Sequence, residues 1–349
     1  MITDVIKVAE NDKKYAAELT RAAEVIKTGG LVVFPTETVY GLGADATDPE
    51  AVKKIYAAKG RPSDNPLIIH IAMPEEAEKY THTVPLYYKL AARFMPGPLT
   101  VVLASKDTIP LATRGGLNTV AVRCPSNRIA RTLIALAGTP IAAPSANLSG
   151  TPSPTSAEHV IDDMMGRVDV IIASDDAEIG LESTIVKIED DNTLTLLRPG
   201  KITVDDLLSV VDAVKIADSV TDKLAEGAIA LSPGMKYRHY APKAPLLLID
   251  STVEEYVSFV ASETGDNIAV LAYSEQIEYI RTTAPNAYCY DFGSIDDEAD
   301  QAARLFAILR ETDKQGFTTI YAPLPKAEGM GLALYNRMIR AAAHRIIRL

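Results

Sequence analysis

Leu31-Val32-Val33-Phe34-Pro35-Thr36-Glu37-Thr38-Val39-Tyr40-Gly41-Leu42-Gly43 is the stretch whose reading decides the fold class. Its first four residues are apolar, too few for a helix, and bounded by Gly30 and Pro35, so they read as a buried strand. Two hydroxyls, a carboxylate and a phenol then follow beside glycines. That make-up suits a ligand pocket at a strand end, with a plain polar turn as the alternative. Gly41-x-Gly43-x-x-Ala46 superficially matches a dinucleotide fingerprint. The match is weak, because the helix should open inside the motif and Asp48-Pro49 opens one later.

Outward from this stretch, similar short apolar runs alternate with helical ones. Leu67–Ile71, Leu99–Leu103, Val120–Arg123, Pro140–Ala143 and Val168–Ala173 read as further strands. Ser183–Ile188 and Leu194–Leu197 straddle Asp190-Asp191-Asn192, a hairpin turn. Asp48 with Pro49 caps a helix that runs to Lys59 and stops at Gly60. Ser153-Pro154 repeats the device before Thr155–Met164, and Thr203 with Asp206 forms a capping box for a helix to about Val211. Residues 212–243 have few periodic apolar positions and hold the cluster Tyr237-Arg238-His239-Tyr240, which reads as a linker or lid. The pattern restarts after Pro245, with strands at Leu246–Ile249, Ile268–Tyr273, Tyr288–Asp291 and Thr318–Ala322. Helices are expected at Val253–Ser262, Asp297–Thr312 and Leu332–Ile347. The expected class is α/β, in a domain over 1–211, a linker over 212–243 and a smaller domain over 244–349.

Composition narrows the function. The 349 residues are 47% hydrophobic and 23% charged, the balance of a globular protein. Two cysteines exclude a disulfide scaffold and any Cys-rich metal module, and His70, His82, His159, His239 and His344 show no metal-ligand spacing. No P-loop and no Gly-x-Ser-x-Gly elbow is present. No apolar run of about 18 residues exists, and residues 1–14 contain no apolar leader core, so a cytoplasmic protein without a membrane partner is expected. The net charge of −11 argues against coating DNA or RNA. Yet residues 53–131 hold twelve Lys or Arg against five Asp or Glu, which keeps an RNA-binding module as the alternative.

Chemistry concentrates in five segments. Besides 35–43, Lys59-Gly60-Arg61-Pro62-Ser63-Asp64-Asn65-Pro66 puts two cations, a hydroxyl and an amide on a stiff loop suited to phosphate. Lys59 alone is also explained by the dipole of the helix it ends. His70 lies in the next strand, where a lone histidine is commonly structural. Ala143-Pro144-Ser145-Ala146-Asn147-Leu148-Ser149-Gly150 ends another strand. Glu182-Ser183-Thr184 opens a strand whose hairpin partner ends at Arg198-Pro199-Gly200, and the linker cluster is the fifth.

In order and spacing these segments resemble the YrdC-like threonylcarbamoyl-AMP synthase family in its two-domain form, over essentially the whole chain. The resemblance implies a YrdC-like twisted mixed sheet with flanking helices, followed by a Rossmann-like α/β domain. It implies a nucleotidyltransferase that makes threonylcarbamoyl-AMP and pyrophosphate from L-threonine, bicarbonate and Mg-ATP. The product would pass to the threonylcarbamoyl transferase complex that modifies tRNA. Residue by residue, Thr36, His70, Arg123, Ala143 and Ser183 match positions that hold threonine. Arg61, Asn65, Thr119, Ser145, Ser153 and Arg198 match ATP positions, and Tyr240 matches a linker residue that reaches over the nucleotide. Lys59 and Arg61 would be the catalytic cations, and Mg²⁺ is expected through the ATP phosphates rather than through protein ligands.

Overall fold

The structure is a computed structural model describing residues 2–9, 15–221, 240–263, 265 and 267–349. It divides into two compact units, one of Met1–Ser149 with Ser153–Lys236 and one of Gly150–Pro152 with Tyr237–Leu349.

A large mixed sheet forms the first unit. Its strands lie in the order Asp4–Lys7, Val170–Ala173, Val32–Phe34, Gly41–Asp45, Ile141–Ala142, Ile68–His70, Thr119–Arg123, Leu99–Ser105, Thr184–Ile188, Thr193–Arg198 and Ala213–Ile216. Thr81–His82 adds a short pairing to Leu99–Ser105. Helices cover it through apolar stripes at helical spacing. Leu19, Ala22, Ala23 and Ile26 of helix Tyr15–Lys27 meet Ile129, Ala130, Leu133 and Ile134 of helix Arg128–Ala137. Val32, Phe34 and Ile172 close that core from the sheet, each large side chain stabilising by roughly 2 kcal/mol.

Helix Pro49–Lys59 is capped as expected. Asp48 accepts from the Glu50 N–H, and Gly60 takes the left-handed conformation at φ 63°. The Thr203–Asp206 capping box is also present, on a shorter helix, Val204–Leu208.

The structure departs from the sequence expectations in several places. Gly41–Asp45 is a further strand, so the turn offered as the alternative for this stretch is not formed there. Its glycines are there for close packing: a Cβ on Gly43 would lie 2.6 Å from Ile141 and 2.7 Å from the Phe34 ring. The helix after Ser153-Pro154 is Ala157–Met164, capped by Ser156, because the Ser153 hydroxyl is already bonded to Glu182. The linker also begins later than residue 212. Ala213–Ile216 pairs in parallel with Thr193–Arg198, an edge strand too exposed to show an apolar run. Tyr237, Arg238 and His239 lie outside the described residues.

The second unit is a five-stranded, all-parallel sheet in the order Ala287–Asp291, Ile268–Ala272, Thr319–Pro323, Leu246–Asp250, Ile346–Arg348. Numbered along the chain this is 3-2-4-1-5. The unit is therefore Rossmann-like in its parallel α/β layering, with the first and fourth strands exchanged relative to the dinucleotide-binding order. Helix Gly331–Ala341 stops short of the expected Ile347, because Ala343 and His344 adopt positive φ and turn the chain into the last strand. Among the described residues, no helix is long and apolar enough to cross a membrane.

Candidate active site

Strand register builds the site. His70 and Arg123 are partners on adjacent parallel strands, and Arg123 is in turn the antiparallel partner of Thr100. Partnered residues point to the same face of a sheet, so the three side chains share one face. Thr100 also pairs with Ile185, and Ile185 with Arg198. This brings Arg198 to the same row, where its Nε donates to the Ser183 carbonyl and its Nη2 to the Ser183 hydroxyl, both at 3.0 Å. The Ser183 and Thr100 hydroxyls are 2.8 Å apart. The expected proximity of Ser183 and Arg198 is thus present.

The 36–39 turn is fixed by its own hydroxyls. Thr36 Oγ1 donates to the Val39 carbonyl at 2.6 Å and accepts from the N–H groups of Thr38 and Val39. This places Glu37 against Arg123, with Oε1 2.8 Å from Nη2 and both side chains buried. His70 stands edge-on to Phe34, with ring centroids 6.1 Å apart. Burial first, then the charges of Arg123 and Arg198, push its pKa down to about 3, so the imidazole is neutral. Its Nδ1 is buried without a hydrogen-bond partner. Ala143 contributes a wall: its N–H donates to the Ile68 carbonyl and its methyl joins the core beside Phe34.

A second group gathers at the start of the same two strands. Continuing the register back two residues sets Thr119 beside Pro66, adjacent to Asn65. Asn65 is fully buried, yet neither its amide nitrogen nor its oxygen has a partner. The loop around it is firm: Tyr56 OH donates to the Asn65 carbonyl, and Arg61 reaches the carbonyls of Asn65 and Pro66. Thr119 and Arg123, four residues apart, share a face, so the two groups are separated by about 13 Å of strand.

Lys59 is placed differently from a cation aimed at a phosphate. Its buried ammonium donates to the carbonyls of Ser145 and Asn147, both at 2.6 Å, and to Asn147 Oδ1 at 3.1 Å. The Ser149 N–H returns a bond to the Lys59 carbonyl. Lys59 therefore holds the Ser145–Asn147 loop, inside which the Ser145 hydroxyl donates to Asn147 Oδ1. Ser153 is buried against Glu182 at 2.5 Å. Tyr240 belongs to the second unit, its ring stacked on Phe306 with centroids 5.1 Å apart and Arg337 over its face.

Sequence reasoning left Glu37, Thr100, Glu182 and Asn147 without individual roles. Glu37 and Glu182 had a usable signal, being carboxylates inside otherwise apolar or hydroxyl-bearing strand ends. Thr100 had none. Among the described residues, no cluster of three or more His, Cys, Asp or Glu is placed to hold a metal ion. The basic segment does not form one exposed stripe: Lys59, Arg114 and Arg123 are buried, and Lys53 and Lys79 pair with Glu50 and Glu76.

Comparison with known proteins identifies the family. Residues 24–200 match the Sua5/YciO/YrdC family model, described as "Telomere recombination". Residues 202–343 match "Threonylcarbamoyl-AMP synthase, C-terminal domain". The chain is 42% identical to the threonylcarbamoyl-AMP synthase of Pyrococcus abyssi, covering 99% of this chain and 100% of that protein. It is 41% identical to that of Bacillus subtilis, over 95% and 94%. The crystal structure of P. abyssi Sua5 complexed with L-threonine superposes with a TM-score of 0.89 at 40% identity, covering 99% of this chain and 100% of that one.

Proposed function

We infer the function from the family to which this chain belongs, the threonylcarbamoyl-AMP synthases in their two-domain form. It is an L-threonylcarbamoyladenylate synthase, serving the threonylcarbamoyladenosine modification of tRNA. As a nucleotidyltransferase it joins L-threonine, bicarbonate and Mg-ATP and releases pyrophosphate. Its product passes to a threonylcarbamoyl transferase complex in the cytoplasm.

The observation that carries this reading is the buried row of His70, Arg123, Ser183 and Arg198 beside the Thr36 turn. Arg123 supplies the fork for the threonine carboxylate. Neutral His70, Thr36 and Ser183 supply hydrogen bonds around the hydroxyl and amine, and Ala143 limits the size of the side chain admitted. ATP lies along the strand pair toward Asn65 and Thr119, with Arg61 and Arg198 on its phosphates. Ser145 and Ser153 line its path, Lys59 keeps the Ser145 loop in place, and Mg²⁺ arrives with the nucleotide. Tyr240 is assigned to the nucleotide on the family resemblance.

The reaction follows. Threonine's amine takes up carbon dioxide from bicarbonate, giving a carbamate. A carbamate oxygen attacks the α-phosphorus, and pyrophosphate leaves with the bonding electron pair. Such transfers need positioning and charge neutralisation more than covalent catalysis, which suits a site of cations and hydroxyls. The test is pyrophosphate release with Mg-ATP, bicarbonate and each amino acid in turn. Release that does not depend on threonine overturns the reading.

A further inference from the structure

The Glu37 side chain meets the site through Arg123. The two side chains are 7% and 5% exposed, and one oxygen lies 2.8 Å from one guanidinium nitrogen. Beyond that close approach the pair is poorly served. Neither Glu37 oxygen, nor Nε or Nη2 of Arg123, has an aligned hydrogen bond. A buried ion pair offsets the loss of water only when its remaining donors and acceptors are occupied. This one is incomplete, and the backbone keeps it so. The Thr36 turn sets the entry to Glu37, and the Ile179 N–H donates to the Glu37 carbonyl.

An α-amino acid completes the pair from both sides. It carries a carboxylate and an ammonium on one carbon, next to each other as Arg123 and Glu37 are. Binding exchanges one incompletely bonded internal ion pair for two, carboxylate on Arg123 and ammonium on Glu37. Among the described residues, the other buried carboxylate of this unit, Glu182, is bonded to Ser153. His70 is neutral and Arg198 is a cation on Ser183, so neither takes up an ammonium.

We propose that Glu37 is a further catalytic residue, which binds the α-ammonium of threonine and takes from it the proton that must leave before nitrogen can bond to carbon. The proposal rests on the threonine-dependent reading above. Threonine's ammonium gives one proton to the Glu37 carboxylate, leaving a free lone pair. Glu37 passes that proton to the hydroxyl of bicarbonate, which departs as water and leaves carbon dioxide. The lone pair forms the N–C bond, and the second proton leaves nitrogen through Glu37 to solvent. The carbamate then stands beside ATP with its nitrogen holding one hydrogen.

This assignment separates the two directions of the reaction. Synthesis from threonine needs the proton removed, whereas formation of ATP from threonylcarbamoyl-AMP and pyrophosphate does not, because that nitrogen is already acylated. In Glu37→Gln, threonine-dependent synthesis is expected to fall at least about 10²-fold, the usual scale of general-base loss. ATP formation from added threonylcarbamoyl-AMP and pyrophosphate should stay within about 3-fold of the parent enzyme. Equal losses in both directions would mean that Glu37 only steadies Arg123, and no loss in synthesis removes it from the chemistry; either result overturns the proposal. Glu37→Asp, which keeps the charge but draws it back, is measured alongside and should show the same asymmetry at about 10-fold, so the test survives if the glutamine variant does not fold. The parent enzyme's own dependence on threonine is the separate check on the function itself.

Discussion

In the first unit, Glu37, Asn65, His70 and Arg123 are buried with polar atoms left unpartnered. In the second unit, several buried polar side chains are tied down: Gln301 donates to the carbonyls of Ser294 and Ile295, Thr312 to Leu309, and Arg337 to Asn336, while the buried hydroxyl oxygens of Ser251 and Tyr290, which lie apart, have no partner. Both units contain fully buried side chains, so burial alone does not mark the site. What marks it is incompleteness gathered around one strand pair. A buried unsatisfied group costs about 1–3 kcal/mol, and four such residues around one strand pair are a sustained expense unless a ligand completes them. The second unit spends its buried polarity on holding itself together.

The sharpest way to break this contrast is Arg123→Ala. It removes the carboxylate fork and strands Glu37, so kcat/KM for threonine should drop on the order of 10³-fold. Denaturant melts should show a loss of about 3 kcal/mol. Small changes in both would mean that the pair is incidental. Arg61→Ala comes next, expected to lower turnover about 10²-fold, with the KM for ATP raised and that for threonine little changed. A threonine-selective defect would move Arg61 out of the nucleotide group.

The effect of pH is smaller and its sign is fixed by His70. Its folded pKa is about 3 against an ordinary 6.5, so the unfolded chain binds the proton first. The stability this contributes is complete above pH 6.5 and is lost as pH falls toward 3. Between pH 6.5 and 5 the loss should be about 2 kcal/mol, and His70→Gln should flatten that slope in thermal melts across the range. The smallest effect belongs to the second unit. Thr252→Ala removes the capping box of helix Val253–Ser262 and should cost about 1 kcal/mol without moving either KM. A shift in KM there would blur the division between the units.

Much of the architecture was legible. The short apolar runs gave eight strands of the first sheet, and Asp48, Pro49 and Gly60 bounded their helix to the residue. Gly41–Asp45 was not legible, because glycines chosen so that a phenyl ring can lie against backbone look the same in sequence as glycines chosen for a turn. Ser153 looked like a cap because nothing local reveals that Glu182, 29 residues on, takes its hydroxyl. The last strand was hidden by Ala343 and His344, since neither residue type announces a positive φ. At the site, the hairpin pairing alone brings Ser183 near Arg198, whereas His70 and Arg123 are placed there by the family resemblance, and the strand register sets all four as neighbours. Glu37 carries no sign of its role within its own motif, because its meaning comes from Arg123, 86 positions away. Lys59 reads in sequence as a phosphate cation, because the carbonyls that engage it belong to a loop 86 to 88 positions further on.

The pairing of His70, Arg123 and Thr100 across three strands also bears on how such a protein can change over generations. Side chains alternate along a strand, so one residue inserted between Ile68 and His70 turns the imidazole to the opposite face. The same holds between Thr119 and Arg123. This pocket can be altered by substitution, one letter for another, but not by lengthening or shortening its strands. Lineages descending from this chain should therefore vary in length at the turns, such as Asp190-Asp191-Asn192, and keep the spacing within these strands.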